Sequence, residues 1–170
     1  CKEGNQLAHL EVYNRYNHAM YNVALRIVKD SATAEDCMQE SFIAAFNKLD
    51  SFKGEATFGS WLKRIVVNNS LVAYKKSKRF VALNETSEEQ LEEEDIHGLA
   101  TEDFSTMQTK QVLHCMRDLN ANYEQILTLH FIEGYDYEEI CEILNISYTN
   151  CRTLISRAKE SLRKKLKASL

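Results

Sequence analysis

The 170-residue chain contains no proline and only five glycines. A chain of average composition would carry about eight prolines, so a Pro-rich linker or polyproline ligand is disfavoured and long uninterrupted helices are favoured. No stretch approaches the ~18 consecutive apolar residues of a membrane span, and the N-terminus lacks the apolar segment of a secretory signal, so a cytoplasmic location is expected. Also missing are a C-x-x-C pair, a glycine-rich phosphate loop, a nucleophile motif and a Cys/His cluster of zinc spacing. The five cysteines, Cys1, Cys37, Cys115, Cys141 and Cys151, are scattered. They read as reduced thiols, Cys141 and Cys151 being small core residues. Glu94 and His97 have the spacing of half a carboxylate-bridged di-metal site, but the other half is missing. No enzyme is expected: no catalytic residue, no metal, no cofactor and no small-molecule substrate.

What is present is segregated charge. The formal net charge of -4 conceals a segment, residues 81–109, with nine acidic residues and no Lys or Arg. Residues 63–79 carry six basic residues and no acid, and residues 152–170 carry seven basic residues and one acid. An acidic overall balance usually argues against nucleic acid as a partner. That argument fails here, because phosphate responds to the field within a Debye length of roughly 8–10 Å.

Apolar spacing places helices on both flanks of the acidic segment. Leu10, Tyr13, Tyr16, Met20, Val23, Ala24 and Ile27 recur at three and four residues, one buried stripe from Gln6 to Val28. Thr33 with Asp36 resembles a capping box for a second helix to about Leu49, with Ala34, Cys37, Met38, Phe42, Ala45, Phe46 and Leu49 inward. After a polar loop over 50–56, Thr57 is expected to cap a third helix to about Lys78, its apolar positions being Phe58, Trp61, Leu62, Ile65, Val66, Leu71 and Val72. Residues 81–105 read as an acidic flexible linker. A helical pattern resumes near Phe104, and Asn120 or Asn122 starts another helix with Tyr123, Ile126, Leu127, His130 and Phe131 along one stripe. Gly134 suits the left-handed position after it. Asp136 caps a short helix, Tyr137 to Leu144, in which Ile140, Cys141 and Leu144 are buried. The turn Asn145-Ile146-Ser147 leads into a long basic helix with Cys151, Ile155, Ala158, Leu162 and Leu166 inward. A short helix, a three-residue turn and a basic helix make a helix-turn-helix. The expected fold is all-α: a three-helix domain over 1–80, the linker over 81–105 and a helix-turn-helix domain over 106–170.

The residues left outward on the last helix are Tyr148, Asn150, Arg152, Thr153, Ser156, Arg157 and Lys159. In a helix-turn-helix such residues meet base edges in the major groove, Arg pairing with guanine, Asn with adenine, and Thr touching a thymine methyl. In the first domain a basic helix is joined to aromatic side chains: Phe52 in the loop, Phe58 and Trp61 at the helix start, Asn68 midway, then Lys75, Lys76, Lys78 and Arg79. Such a mixture suits single-stranded nucleic acid, whose splayed bases stack while the backbone follows the charge. The same spacing of Phe58 and Trp61 equally describes core residues.

Two blocks of sequence resemble one family, the extracytoplasmic-function (ECF) sigma factors of bacterial RNA polymerase. The first is Ala34-Glu35-Asp36-Cys37-Met38-Gln39-Glu40-Ser41-Phe42, then Leu49-Asp50-Ser51-Phe52-Lys53-Gly54 and Phe58-Gly59-Ser60-Trp61-Leu62-Lys63-Arg64-Ile65-Val66-Val67-Asn68. The second is Gly134-Tyr135-Asp136-Tyr137-Glu138-Glu139-Ile140-Cys141, then Leu144-Asn145-Ile146-Ser147 and Ser156-Arg157-Ala158-Lys159. The resemblance implies an N-terminal sigma region 2 domain and a C-terminal sigma region 4 domain. Asp36, Gln39, Glu40 and Phe42 then fall where the family docks on the clamp of the polymerase's largest subunit. Phe52, Trp61, Ile65 and Asn68, followed by the cations Lys75, Lys76 and Arg79, fall where members melt the -10 element and hold an extruded base. Arg152, Thr153, Ser156 and Arg157 fall on the face that reads the -35 element. Implied partners are core RNA polymerase (the clamp, and the flap of the second-largest subunit), promoter DNA and an anti-sigma factor, often membrane-linked.

The chain departs from the family pattern in places. Val72, Lys75 and Lys76 stand where members often have an acidic or polar residue and then arginines. Thr149-Asn150-Cys151 replaces the usual Gly-Thr-Val, and Leu154 replaces an Arg. A second class of function, a stand-alone helix-turn-helix transcriptional regulator, predicts salt-dependent duplex binding without polymerase.

Overall fold

A computed structural model describes residues 5–83 and 106–168, with side chains over 5–78 and 109–168. The chain is all-α and divides into two compact units. Residues 84–105 of the acidic linker, with the Glu94/His97 pair and Phe104, lie outside the described residues, as do the side chains of Arg79 and Met107; residues 81–83, expected in the linker, continue the third helix.

The first unit is built from α1 (Gln6–Val28), α2 (Ser31–Asn47) and α3 (Phe58–Leu83), each packed on the other two. Its core is Met20, Val23, Ala24 and Ile27 from α1, Ala34, Cys37, Met38, Phe42 and Ala45 from α2, and Leu62, Val66, Val67 and Leu71 from α3. At its N-terminal end the buried stripe of α1 runs through His9 rather than Leu10. The His9 ring stacks on Phe46 at 4.4 Å and Tyr13 meets Phe42 at 4.9 Å, which turns Leu10 outward, 54% exposed. Lys29, left-handed at φ 61°, ends α1 so tightly that α2 starts two residues later. Its N-cap is therefore Asp30, not Thr33: the Asp30 carboxylate accepts the Thr33 amide at 2.7 Å, and hydrogen bonds with the Thr33 side chain, first, and its amide hold the carboxyl pKa below the ordinary value. Thr57 caps α3 as expected, its hydroxyl accepting the Ser60 amide at 3.2 Å. A polar pin crosses between α2 and α3: Asn69 Nδ2 donates to Ser41 Oγ at 2.9 Å, and Ser41 donates to the Cys37 carbonyl. Gly59 lets α1 approach α3, since a Cβ there would meet the Tyr16 ring at 3.0 Å.

The second unit comprises α4 (Thr106–Arg117), α5 (Ala121–Leu127), α6 (Tyr137–Leu144) and α7 (Tyr148–Ala168), with α4, α5 and α6 all packed on α7. Asn120 caps α5 through the Tyr123 amide at 3.0 Å. From Thr128 to Ile132 the helix widens into a π turn, closed by the Glu133 amide on the Thr128 carbonyl at 2.9 Å. The extra residue per turn shifts the register. Thr128 and Leu129 go inward, and Phe131, expected on the buried stripe, turns out with 54% exposure. Gly134, at φ 76°, then reverses the chain. Asp136 and Glu139 form a full capping box on α6. Ile140 is buried, while Cys141 and Leu144, expected inside, are half-buried.

Candidate nucleic-acid interfaces

In the second unit the turn between α6 and α7 sets the orientation of α7. Asn145 takes the left-handed conformation at φ 54°, which Asn tolerates better than other side chains. The Asn145 and Ile146 amides both close on the Cys141 carbonyl. Ser147 then caps α7 through the Asn150 amide at 3.3 Å. Cys151, Ile155, Ala158 and Leu162 fill the inner face. Burial against Cys141 pushes the Cys151 thiol up to about 11, so it stays a neutral core group.

At 100° per residue the outward ridge of α7 is Thr149, Thr153, Ser156 and Glu160. Arg152 flanks it on one side, Asn150 and Arg157 on the other, and all seven are exposed. Tyr148, 50% exposed, stands at the helix start with its ring 6.1 Å from that of Tyr137. The Thr153 hydroxyl donates to the Thr149 carbonyl at 2.8 Å, so its outward group is its methyl. Further along, Glu160 lies 3.9 Å from both Arg163 and Lys164. Lys159 is not a free exposed cation: it is half-buried, its Nζ 5.0 Å from the centre of the Phe131 ring that the π turn presents. The sequence reading missed Thr149, although its four-residue spacing from Thr153 marks the same ridge.

In the first unit the loop before α3 folds back on the helix it precedes. Phe52 lies 5.2 Å from Trp61 and 5.8 Å from Phe58, Phe58 lies 5.7 Å from Trp61, and Tyr16 lies 5.6 Å from Phe58. All four rings are half-buried, so the two descriptions of Phe58 and Trp61 merge: these rings pack on one another and keep an edge in water. From Trp61 one face of α3 continues through Ile65, half-buried, and Asn68, exposed, to the exposed Lys75 and Lys76. Those lysines stand about 10–12 Å beyond Asn68 along the axis. Val72, expected on the buried stripe, lies on this outer face with 68% exposure, because α3 packs through Leu62, Val66, Val67, Ser70 and Leu71.

On α2, Asp36, Gln39 and Glu40 are exposed, with Gln39 Nε2 donating to Glu35 at 3.1 Å. Phe42 does not join them. It is 2% exposed, held between Tyr13 and Phe46, and so supports the helix from beneath. The apolar group actually presented on that face is Ile43, four residues after Gln39 and 61% exposed, which the sequence reading did not single out. Among the described residues no cluster of three or more His, Cys, Asp or Glu could hold a metal ion, and no helix is long and apolar enough to cross a membrane.

Comparison with known proteins finds a match for each unit. The family model "Sigma-70 region 2" matches residues 12–80, and "Sigma-70, region 4" matches residues 109–162. The chain is 30% identical to the ECF RNA polymerase sigma factor SigW of Bacillus subtilis, over 98% of this chain and 92% of that protein. It is also 30% identical to the ECF RNA polymerase sigma-E factor of Escherichia coli, over 97% and 90% respectively. Among solved structures, the fold resembles the sigma factor RpoE in complex with the anti-sigma factor NepR from Bartonella quintana. That match has a TM-score of 0.66 at 22% identity, covering 92% of this chain and 95% of that one. CnrH in complex with the cytosolic domain of CnrY has a TM-score of 0.58 at 21% identity, covering 99% and 94%.

Proposed function

The chain belongs to the ECF RNA polymerase sigma factors, and on that footing we propose that its two helical faces divide the work of promoter recognition. Residues 1–80 act as region 2, residues 106–170 as region 4, and residues 81–105 as the acidic tether between them. The observation that carries this reading is the pair of cationic helices with different neutral side chains, one in each unit. On α7 the exposed Arg152, Asn150 and Arg157 flank a ridge of hydroxyl-bearing residues, a set suited to base edges of duplex DNA at the -35 element. Tyr148, Thr153 and Ser156 complete that surface, and Lys159, braced by Phe131, faces a phosphate.

Along α3 the rings of Phe52, in the loop before it, and Trp61 lead to Ile65, Asn68, Lys75 and Lys76, and Arg79 follows them in sequence. This surface receives the separated non-template strand of the -10 element, an unstacked base lying against the aromatic cluster and phosphates following the lysines. Asp36, Gln39 and Glu40 of α2 form the docking surface for the polymerase clamp, with Ile43 as its apolar contact and Phe42 as its support. The protein supplies no catalysis of its own and acts in the cytoplasm, bound to core polymerase by the clamp and the flap. An anti-sigma factor, often membrane-linked, holds it inactive; of the two solved structures named above, one is in complex with an anti-sigma factor and the other with the cytosolic domain of CnrY.

The test is reconstitution. Purified protein added to core polymerase is expected to give transcripts from a subset of promoters in a genomic pool. Tight duplex binding without polymerase, together with no promoter-dependent transcript where a control sigma factor gives one, would instead establish the stand-alone regulator.

A further inference from the structure

Val72 sits where an apolar side chain gains little from its own domain. At 100° per residue it lies at the centre of the arc that also holds Trp61, Ile65, Asn68, Lys75 and Lys76, opposite the buried Val66 and Ser70, and it is 68% exposed. Asn68 stands one turn before it and the two lysines one turn after. The stretch 63–79 that contains it has six basic residues and no acid. A β-branched residue at such a site lowers helix propensity and leaves its methyls in water. An apolar knob set among an amide and two ammonium groups matches a ligand that is apolar at one spot and polyanionic around it. Nucleic acid with unstacked bases has that character.

Resting on the sigma-factor reading above, we infer that Val72 packs on the C5 methyl of a thymine in the separated non-template strand and so selects thymine at one position of the -10 element. The isopropyl group neither donates nor accepts a hydrogen bond, so it cannot distinguish bases by their polar edges. Among the exocyclic groups of the four bases only the thymine methyl is apolar. Lys75 and Lys76 hold the neighbouring phosphates and fix the register of the strand, as backbone contacts do, while Asn68 bonds the edge of an adjoining base.

The experiment uses the full chain bound to core polymerase and a pool of fork-junction DNA whose non-template -10 strand is randomised. A selected strand is then resynthesised with deoxyuridine replacing each thymine in turn, a change that removes only the methyl. At one position the substitution is expected to weaken binding about fourfold, the factor for burying one methyl group. Val72→Ile should keep that loss and Val72→Ala should abolish it, leaving the deoxyuridine effect at other positions unchanged. The same deoxyuridine profile in the parent protein and in Val72→Ala, or selected strands without thymine, would overturn the inference while leaving the sigma-factor reading intact. A complex with polymerase that retains no fork DNA at all would overturn that reading, and the inference with it.

Discussion

The outer faces of α3 and α7 carry similar positive charge but differ in the neutral side chains between the cations. On α3 those neighbours are Trp61 and Ile65, half-buried like Phe52 of the loop before it, and Val72, exposed, with one amide at Asn68. On α7 they are Thr149, Thr153, Ser156 and Asn150. Positive charge alone draws either helix to phosphate without regard to sequence. What separates them is that hydroxyl, amide and guanidinium groups suit base edges in an intact groove, where a methyl can meet only that of thymine, whereas aromatic rings need the face of a base already out of the stack. The anchoring differs in the same sense. The α3 rings hold one another through Tyr16, Phe52, Phe58 and Trp61, while Arg152 and Arg157 on α7 are exposed.

The comparison breaks if the two units are not independent bodies, and the largest expected effect tests this. Leu62 is fully buried in the first core, so Leu62→Ala should cost about 2–5 kcal/mol. Trp61 is the chain's single tryptophan and reports on that unit alone. Its fluorescence midpoint in denaturant should fall, while amide exchange along α7 keeps its protection. Loss of α7 protection in the variant would show one cooperative body.

Two substitutions sharpen the comparison, each expected to cost about 1–3 kcal/mol on one readout and nothing on the other. Phe52→Leu keeps an apolar body against Phe58 and Trp61 but removes the ring. Strand opening, read as permanganate reactivity of -10 thymines, should fall, with polymerase binding and -35 discrimination retained. Arg152→Ala should weaken binding to duplex -35 DNA and alter base preference there, while transcription from a pre-melted template without a -35 element is unchanged. A reversed outcome would remove the division of labour between the helices.

Much of this was legible in the sequence, because three-and-four spacing is set by the helix itself and holds wherever the helix stays α. Most of the buried sets of α2 and α7, the Gly134 reversal, the Thr57 cap and the Asp136 cap followed from spacing and residue type, although Phe46 and Leu166 are only half-buried and the buried Ser41 was not foreseen. What escaped depended on packing direction or on local departures from α geometry. Leu10 and Val72 adjoin the residues that the neighbouring helices cover, His9 and Tyr13 in one case and Ser70 and Leu71 in the other, so their spacing looked right while their faces were wrong. Phe131 was misplaced by a π turn, which no residue in Thr128–Ile132 announces, and Lys159 followed it into a partly covered position. Phe42 satisfied two readings at once, and only the contacts with Tyr13 and Phe46 decide that it is core. The exposure of the polar candidates on α7 was readable, because the residues left over by a buried helical stripe fall on its outer face. The grouping of Phe52, Phe58 and Trp61 into one cluster needed the fold of the loop.

The smallest effects come from the helix starts, where the two units use different caps. In the second unit Asp136 and Glu139 satisfy one another's backbone amides at 2.8 and 2.9 Å. In the first, Asp30 works alone on the Thr33 amide. Each aspartate replaced by alanine should cost about 1 kcal/mol, Asp30→Ala moving the transition seen by Trp61 and Asp136→Ala moving only α7 exchange. The Asp30 cost should also depend on pH. Its folded pKa lies below the ordinary 3.8, chiefly through the hydrogen bonds with Thr33. A lowered folded pKa contributes stability that is present above the unfolded value and is lost as pH falls through the folded one. The gap between the parent protein and Asp30→Ala should therefore be full at neutral pH and begin to close below about pH 4. A gap that stays constant into that acid range would mean that the cap acts through its shape rather than its charge.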